Sequence, residues 1–201
     1  MVEITNIRVH DLEESVIAAR NAMRLTPPVY TKEEFEASLP RAIKLAQAPR
    51  GSAHDNWLCG VRVSFDIKYP AYFSPELQRY HFCDIVTSSS KMHRLTQMNM
   101  DACFNEYVTE DTKTYMKVLL QRYNKNKSYE NFMTLLSNCP LGIELFMRCT
   151  TNLLQLKTIY HQRKNHKLKE DWVDGFIEGL IKKLPYHKEF ITGDYASTNN
   201  D

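Results

Sequence analysis

Apolar and polar side chains alternate most regularly in residues 57–69. Every second position from Val61 to Ile67 is apolar, and charged or hydroxyl side chains occupy the positions between them. A period of two residues is typical of a strand with one buried face. We therefore predict a half-buried strand over residues 57–69, ended by Pro70. The opening residues 2–9 predict a second, shorter strand.

A different pattern, with steps of three and four residues, occupies the last third of the chain. The positions that follow it are Phe146, Cys149, Leu153, Leu156 and Tyr160. This spacing is typical of the buried stripe of a helix, and it predicts one long helix from residue 141 to about residue 163. On such a helix Asn152 and Arg163 would share a face, ~16 Å apart.

Capping signals predict shorter helices. Thr31 has Glu34 three residues later, which is a capping box, and Pro40 inside the helix that follows predicts a kink or break. Residues 74–76 have the order of N-cap, first-turn proline and first-turn acid, which predicts a short helix into residues 79–81. Further helices are predicted after Asp11 as N-cap and over residues 111–123, 129–137 and 170–184, with a loop at residues 87–90.

The composition is that of a globular protein with a single domain. The chain has 201 residues, 43% hydrophobic and 25% charged, as in soluble globular proteins. We expect one domain over residues 1–191 and a flexible tail over residues 192–201. No apolar run approaches the ~20 residues of a membrane span, so we expect no membrane partner.

Charge and cysteine content indicate which partners and which cellular compartment to expect. The formal net charge is +2, from 26 basic and 24 acidic residues without a long single-sign run, which argues against a nucleic-acid partner. The five cysteines are odd in number and include no C-x-x-C pair. This usage predicts free thiols in a reducing cytoplasm.

Two groups of residues suggest a binding site. Residues 79–81 read Arg-Tyr-His and residues 150–152 read Thr-Thr-Asn, with Arg163 further along. Their cationic and amide side chains suit a phosphorylated ligand with a flat ring. The alternative is that Asn152 and Arg163 are simply solvated surface side chains.

Other chemistry receives weaker support. His81, Cys83 and His93 are good zinc ligands by type, but their spacing matches no closed zinc site, and we expect no bound metal. Cys83 or Cys103 paired with a histidine would make a nucleophile, yet nothing nearby indicates an activated thiolate. We expect buried, inert thiols.

Several segments, in order along the chain, resemble the flavin-dependent thymidylate synthases of the ThyX family. Residues 15–20 resemble an early A-A-R segment, and residues 65–70 resemble the strand before the family signature. Residues 79–91 fall on that signature, R-H-R-x-x-S-x-N-E-x-S-x-R-Y. Thr150, Asn152, Leu156 and Arg163 fit a later T-x-N-x-R-x-L…L-R segment. The resemblance spans about residues 11–190.

The resemblance implies an α/β fold of the ThyX type, with a small sheet covered by helices and a helix-rich C-terminal half. It implies FAD as cofactor, with methylene-tetrahydrofolate and NADPH as co-substrates. In the family, reduced flavin carries a hydride and the folate supplies the carbon that methylates carbon five of dUMP, giving dTMP. It also implies a homotetramer whose sites combine residues of several subunits.

The resemblance also assigns cofactor and catalytic roles. Arg163 matches the arginine that binds and activates the pyrimidine, so it is the expected catalytic residue. Arg79 is expected to hold a flavin or nucleotide phosphate, and Asn152 an adenine or ribose edge. His81 stands in the signature beside Arg79 and is expected to contact the cofactor. His54 resembles a histidine that lines the flavin, although a plain loop histidine is an equal alternative.

A further set is expected to bind the nucleotide. Ser89 and Ser90 offer hydroxyl and backbone N–H groups to a phosphate, and Lys91 and Arg94 add positive charge. Glu76 occupies the place of a glutamine that family members use near the pyrimidine, and Arg163 completes the set.

Departures from the family pattern leave two alternatives open. Tyr80 replaces a signature histidine, His81 an arginine, and Leu154 a cofactor-contacting arginine. The chain is then either a non-catalytic homolog that binds a nucleotide or partner protein, or an enzyme that hydroxymethylates a pyrimidine nucleotide.

Overall fold

A four-stranded antiparallel sheet, in the order β1-β2-β4-β3, organises the chain in the computed structural model, which describes residues 1–49 and 52–193. The strands are β1 (Glu3–His10), β2 (Arg62–Pro70), β3 (Asp84–Ser88) and β4 (Glu144–Asn152). Helices cover one face of this small sheet, and the expected α/β fold is confirmed.

The helices lie between the strands in sequence and after β4. They are α1 (Leu12–Ala18), α2 (Lys32–Ala46), α3 (Ser74–Leu77), α4 (Lys91–Arg94), α5 (Glu110–Lys125), α6 (Tyr129–Ser137) and α7 (Leu153–Arg163). Two π-helical segments, Glu170–Ile177 and Lys188–Thr192, complete the described chain. Residues 194–201 of the predicted tail lie outside the described residues. No helix among the described residues is long and apolar enough to cross a membrane.

The prediction of one helix over residues 141–163 was wrong in its first half. Residues Glu144–Asn152 form strand β4, in which buried Leu145, Met147 and Cys149 alternate with more exposed neighbours. Asn152 then caps α7, because its side-chain oxygen accepts a hydrogen bond from the Gln155 N–H at 2.8 Å. Asn152 and Arg163 therefore lie at opposite ends of one shorter helix.

The boundaries of three other elements also differ from prediction. β2 begins at Arg62, because Asn56–Gly60 turns as a 3-10 helix and buries Leu58. The predicted loop at residues 87–90 is partly strand, since Thr87 and Ser88 belong to β3 and pair with β4. The helix predicted to reach residues 79–81 ends at Leu77.

Three sequence signals near the N-terminus predicted helix starts or breaks, and one of them, the Thr31 cap, is confirmed. Thr31 caps α2 as predicted, through its hydroxyl and the Glu34 N–H. Pro40 lies inside α2 without interrupting it. Proline has no N–H to donate to the carbonyl four residues earlier, but Pro40 is on the exposed side of the helix, where water can donate to that carbonyl instead. Asp11 takes a left-handed conformation (φ 59°) without a side-chain cap, and α1 ends at Ala18.

The main core lies between the sheet and the C-terminal segments. The inward side chains of β2 and β4 pack on α7 and on the aromatic residues of the segment Glu170–Ile177. Phe65 meets Phe176 edge to face with ring centroids 5.8 Å apart. A smaller core lies between α5, α6 and the segment before α5.

A buried ion pair fixes α7 to the rest of the fold. Lys157 Nζ lies 2.5 Å from Asp55 Oδ2 and also donates to the Ala46 carbonyl at 2.6 Å. The two charged side chains are 4% and 9% exposed. Because Ala46 ends α2 and Asp55 precedes β2, this contact holds three segments together behind the helix that carries Arg163.

We predict that Lys157→Met lowers the free energy of unfolding by about 3–5 kcal/mol, because it leaves the Asp55 carboxylate buried without its cation. Urea unfolding followed by circular dichroism measures this. The matched control is Lys182→Met, which removes an exposed ion pair with Glu178 and should cost at most about 1 kcal/mol. Equal losses in the two variants would contradict the structural role of Lys157.

Candidate functional site

The path of the chain brings Arg163 back to the end of β2. β4 runs antiparallel to β2, from the pair Pro70–Glu144 at one end to Arg62–Asn152 at the other. α7 follows β4 directly, and its eleven residues span about 16 Å. The last residue of α7 therefore meets the segment that follows Pro70, which contains Glu76, Arg79 and Tyr80.

Arg163 is held by three side chains, two from the segment after Pro70 and one from the turn that follows α7. Its Nε donates to Tyr80 Oη at 2.8 Å and its Nη1 donates to Glu76 Oε2 at 3.0 Å. Nη1 also lies 2.6 Å from His166 Nε2. The side chain is only 16% exposed, so the direction of its guanidinium is well defined.

Aromatic rings complete the surroundings of this guanidinium. It lies 4.5 Å from the ring centroid of Trp172 and 5.7 Å from that of Tyr80, distances at which a cation is attracted to the ring face. Tyr80 in turn donates to Gln162 Oε1 at 3.1 Å. Tyr80 therefore both accepts from Arg163 and is itself oriented by α7.

Glu76 is the acceptor that joins these groups. Its Oε2 accepts from the indole N–H of fully buried Trp172 at 2.7 Å as well as from Arg163. Among the described residues, the other oxygen, Oε1, accepts no hydrogen bond. Glu76 therefore offsets the charge of Arg163 and still presents an open acceptor.

A cleft of about 430 Å³ lies beside this cluster. Its lining residues are Arg79, Tyr80, His81, Phe82, Gln155, Thr158, Gln162 and Arg163. Arg79 is exposed and forms no ion pair or hydrogen bond within the described part of the chain. The cleft thus contains one arginine without an acidic partner, Arg79, and one whose charge is offset by Glu76, Arg163. Its volume lies within the range of ligand pockets.

These residues fit the phosphate and ring of a nucleotide or flavin. The guanidinium of Arg79 suits a phosphate, and the exposed ring of Phe82 offers a face for stacking. Within residues 1–49 and 52–193, no group of three or more His, Cys, Asp or Glu side chains is arranged to bind a metal ion.

The structure places two of the predicted cofactor residues away from this cleft. Asn152 lies at the start of α7 with its amide oxygen engaged by the Gln155 N–H. His54 is exposed on the turn before Asp55. Within one protomer, the cleft brings together only Arg79, His81 and Arg163 of the predicted set, with Glu76 in contact behind Arg163.

The predicted phosphate-binding residues follow the C-terminal end of β3, whereas the cleft residues 79–82 precede its first residue. Ser89 pairs with β4, because its N–H donates to the Phe146 carbonyl at 2.8 Å and its hydroxyl accepts from the Phe146 N–H at 3.1 Å. Ser90 caps α4 through the His93 N–H, and Lys91 and Arg94 belong to that helix. Ser89 lines a separate cavity of about 510 Å³ over the open face of the sheet.

The two candidate thiols are not activated. A hydrogen bond with Cys149 and burial together raise the pKa of Cys83, and the same contact lowers the pKa of Cys149. Burial raises the pKa of Cys103 to about 11. Cys83 and Cys103 are therefore neutral thiols near pH 7, as expected for structural cysteines.

A third cavity, of about 490 Å³, lies beside the start of the segment Glu170–Ile177. Tyr72 and buried Asp171 line it, and Tyr72 Oη donates to Asp171 Oδ2 at 2.9 Å. Burial, with this bond, raises the pKa of Tyr72. Asp171 also accepts from the Val2 N–H at 3.1 Å, so its carboxylate is already engaged and ties β1 to this segment.

Sequence reasoning missed the polar stripe that lines the cleft. Gln155, Thr158 and Gln162 are separated by three and four residues, so they share one face of α7. That spacing was the available signal, but the apolar stripe of the same helix is the stronger pattern.

The fold is similar to that of the flavin-dependent thymidylate synthase ThyX from Helicobacter pylori, solved in complex with FAD and dUMP. The TM-score is 0.69 at 14% identity, over 96% of this chain and 99% of that one. A second structure of Helicobacter pylori ThyX with FAD and dUMP gives 0.67 at 15% identity, over 98% and 100%. The chain therefore has a ThyX-like fold.

A more distant likeness involves the UMP/dUMP methylase PolB from Streptomyces cacaoi bound with 5-Br UMP. Its TM-score is 0.52 at 11% identity, over 80% of this chain and 74% of that one. No protein-family model and no curated protein matches the sequence. At these identities the likeness establishes the fold and leaves the chemistry to the residues of the cleft.

We predict that Glu76→Ala destabilises the protein by about 1–3 kcal/mol, because it leaves the buried indole N–H of Trp172 without an acceptor. Glu76→Gln keeps an oxygen there and should cost less. Thermal and urea unfolding measure both, with Glu178→Ala on the exposed surface as control. If Glu76→Ala were as stable as Glu178→Ala, the bond to Trp172 would not contribute as described.

Proposed function

We propose that this chain is a ThyX-like flavin-dependent methyltransferase that acts on carbon five of a pyrimidine nucleotide. The family reaction, dUMP to dTMP with methylene-tetrahydrofolate and NADPH, is the reference reaction. The observation that supports it most is the convergence of Arg79 and Arg163 on one cleft. The fold adds support, because structures with the same fold were solved with FAD and dUMP.

In this proposal Arg79 binds a phosphate and Arg163 orients the pyrimidine. A guanidinium suits phosphate because it offers several N–H donors in one plane. Arg163 is already oriented by Tyr80 and Glu76, so it donates to a ring carbonyl without further ordering. It would stabilise the negative charge that this carbonyl gains as carbon five reacts.

FAD, when bound, supplies the hydride that reduces the transferred carbon to a methyl group. The chain contributes the phosphate contact at Arg79 and the exposed ring of Phe82 beside it. His81 lies in the same cleft and adds a donor. His54, Asn152, Ser89, Ser90, Lys91 and Arg94 join the site only if a neighbouring subunit brings them to this cleft.

Assembly as a homotetramer is therefore part of the proposal. The outer face of the sheet and the edge strand β3 carry exposed apolar side chains, including Phe146 (66% exposed), Val86 and Ile85. Apolar surface of this kind marks interfaces. Contact through this face would bring the Ser89 region of one subunit close to a second one. The five free thiols support a reducing, cytoplasmic setting.

A non-catalytic nucleotide-binding protein is the second candidate. It is favoured by one observation, that Glu76 offsets the charge of Arg163, which weakens the pull of this arginine on a ring carbonyl. A hydroxymethylase would use the same cleft and differ in its product. Mass analysis of the nucleotide after incubation with the folate separates all three.

We predict that the protein binds FAD and oxidises NADPH only when a pyrimidine nucleotide is present. Arg163→Ala should lower kcat by about 10²–10³, the usual effect of removing a donor to a developing negative charge, and Arg79→Ala should mainly raise KM. Arg122→Ala, on exposed α5, is the control. A colourless protein without FAD affinity would reject the methyltransferase.

We also predict that the protein sediments as a tetramer and that Phe146→Lys dissociates it. A charge at the centre of an apolar interface would be desolvated without a partner. Tyr129→Lys changes an even more exposed aromatic residue, on α6, and should leave the assembly intact. Analytical ultracentrifugation measures this; a monomer in the unmodified protein contradicts the proposed assembly.

A further inference from the structure

The segment between the 3-10 helix Asn21–Met23 and α2 presents a row of exposed apolar side chains. It covers residues 24–31 and reads Arg-Leu-Thr-Pro-Pro-Val-Tyr-Thr. Leu25, Val29 and Tyr30 are 102%, 70% and 58% exposed, and none of the three packs against either core. Within the described part of the chain, the Tyr30 hydroxyl makes no hydrogen bond. The fold therefore does not use these side chains for its own packing.

Two adjacent prolines restrict the backbone of this segment. The pyrrolidine ring fixes φ at about −65°, and a residue that precedes a proline is kept out of the helical region. Pro28 therefore confines Pro27 to the polyproline II region. Accordingly, residues 27–30 form neither helix nor strand. The N–H of Thr31 donates to the Val29 carbonyl at 3.2 Å, which marks the turn into α2.

Polar contacts hold both ends of the segment. Arg24 forms an ion pair with Glu34 in the first turn of α2, and its guanidinium also donates to the Ile17 carbonyl at 3.5 Å. Ser38 donates to the same Glu34 oxygen at 3.2 Å, and Thr31 caps α2. The residues between Arg24 and Thr31 are therefore an arch that is anchored at both ends. An anchored arch loses less conformational entropy on binding a partner than a free tail does.

The spacing of the rings suits recognition from one side. A polyproline II helix has three residues per turn and rises ~3.1 Å per residue, so residues three apart face the same side. Pro27 and Tyr30 have this spacing, and Pro28 adds a second ring next to the first. One class of WW domains binds the sequence Pro-Pro-x-Tyr, taking the prolines in an aromatic-lined groove and the tyrosine in a neighbouring pocket. Residues 27–30 have this sequence.

We propose that residues 27–30 are a docking site for a WW domain, with Pro27 and Pro28 in its aromatic groove and Tyr30 in the adjacent pocket. An SH3 domain fits less well, because it requires a second proline three residues after the first. Tyr30 and Thr31 occupy those positions here. The partner is therefore a protein that carries a WW domain.

This docking site is independent of the proposed enzymatic function. None of residues 27–30 lines the cleft that contains Arg79 and Arg163. The docking site would attach the protein to a partner and leave the chemistry of the cleft unchanged.

Isothermal titration of the full chain with a purified WW domain that binds Pro-Pro-x-Tyr peptides tests the proposal. We expect saturable binding of one WW domain per chain. Tyr30→Ala should weaken this binding at least about tenfold, the usual effect of truncating an aromatic anchor at an interface. Pro28→Ala should also weaken it, because it removes one ring and relaxes the restriction on Pro27.

Tyr129→Ala is the matched control, because Tyr129 is a tyrosine that is 78% exposed on α6. It should bind the WW domain as tightly as the unmodified chain. Tyr30 is exposed and outside both cores, so Tyr30→Ala should keep the circular dichroism spectrum and the thermal midpoint of the unmodified chain. Loss of binding with an unchanged midpoint then reports the docking contact itself.

Failure of the unmodified chain to bind the WW domain would overturn the proposal. Equal binding by the Tyr30→Ala variant would overturn the role of the Pro-Pro-x-Tyr sequence. Binding of an SH3 domain in place of the WW domain would overturn the assignment of the partner. Each of these results leaves the proposed methyltransferase standing, which is tested separately by nucleotide and FAD binding.

Discussion

The direct passage from β4 into α7 is the constraint on which the rest of the site depends. β4 pairs antiparallel with β2 along nine positions, and Asn152 turns the chain into a helix that runs back along the sheet. The C-terminal end of α7 then lies beside the segment that follows β2, which contains Glu76, Arg79 and Tyr80. The ion pair between Lys157 and Asp55 fixes the helix in this position.

The consequence is a cleft with two arginines in different electrostatic states. Arg163 is oriented by Tyr80, Trp172 and Glu76, and its charge is largely offset. Arg79 is exposed and without a partner among the described residues. A ligand with one anionic end and one polar ring matches this asymmetry, which is why a nucleotide suits the cleft better than a ligand with two anionic ends.

The sequence predicted the local elements better than the contacts between them. Strict alternation identified most of β2, and the Thr31 capping box identified the start of α2. β4 was mistaken for helix because Cys149 fits both the two-residue period of the strand and the three- to four-residue steps that continue into α7. Asn152, a good N-cap residue, was the signal that separated them.

The resemblance to ThyX signatures was enough to predict the fold, which the structure confirms, because the order of several weak motifs follows the order of the strands and helices. It did not predict that Glu76 would hold Arg163, since the two lie 87 residues apart and their contact depends on how α7 returns. The placement of Ser89 on the far side of β3 likewise depends on pairing with Phe146 rather than on any local pattern.

A crystal structure of the protein with a bound pyrimidine deoxynucleotide tests the central claim most directly. The account predicts the phosphate at Arg79 and the edge of the base against Arg163, in the cleft lined by α7. A nucleotide bound away from both arginines, for example in the cavity beside Tyr72 and Asp171, would contradict it.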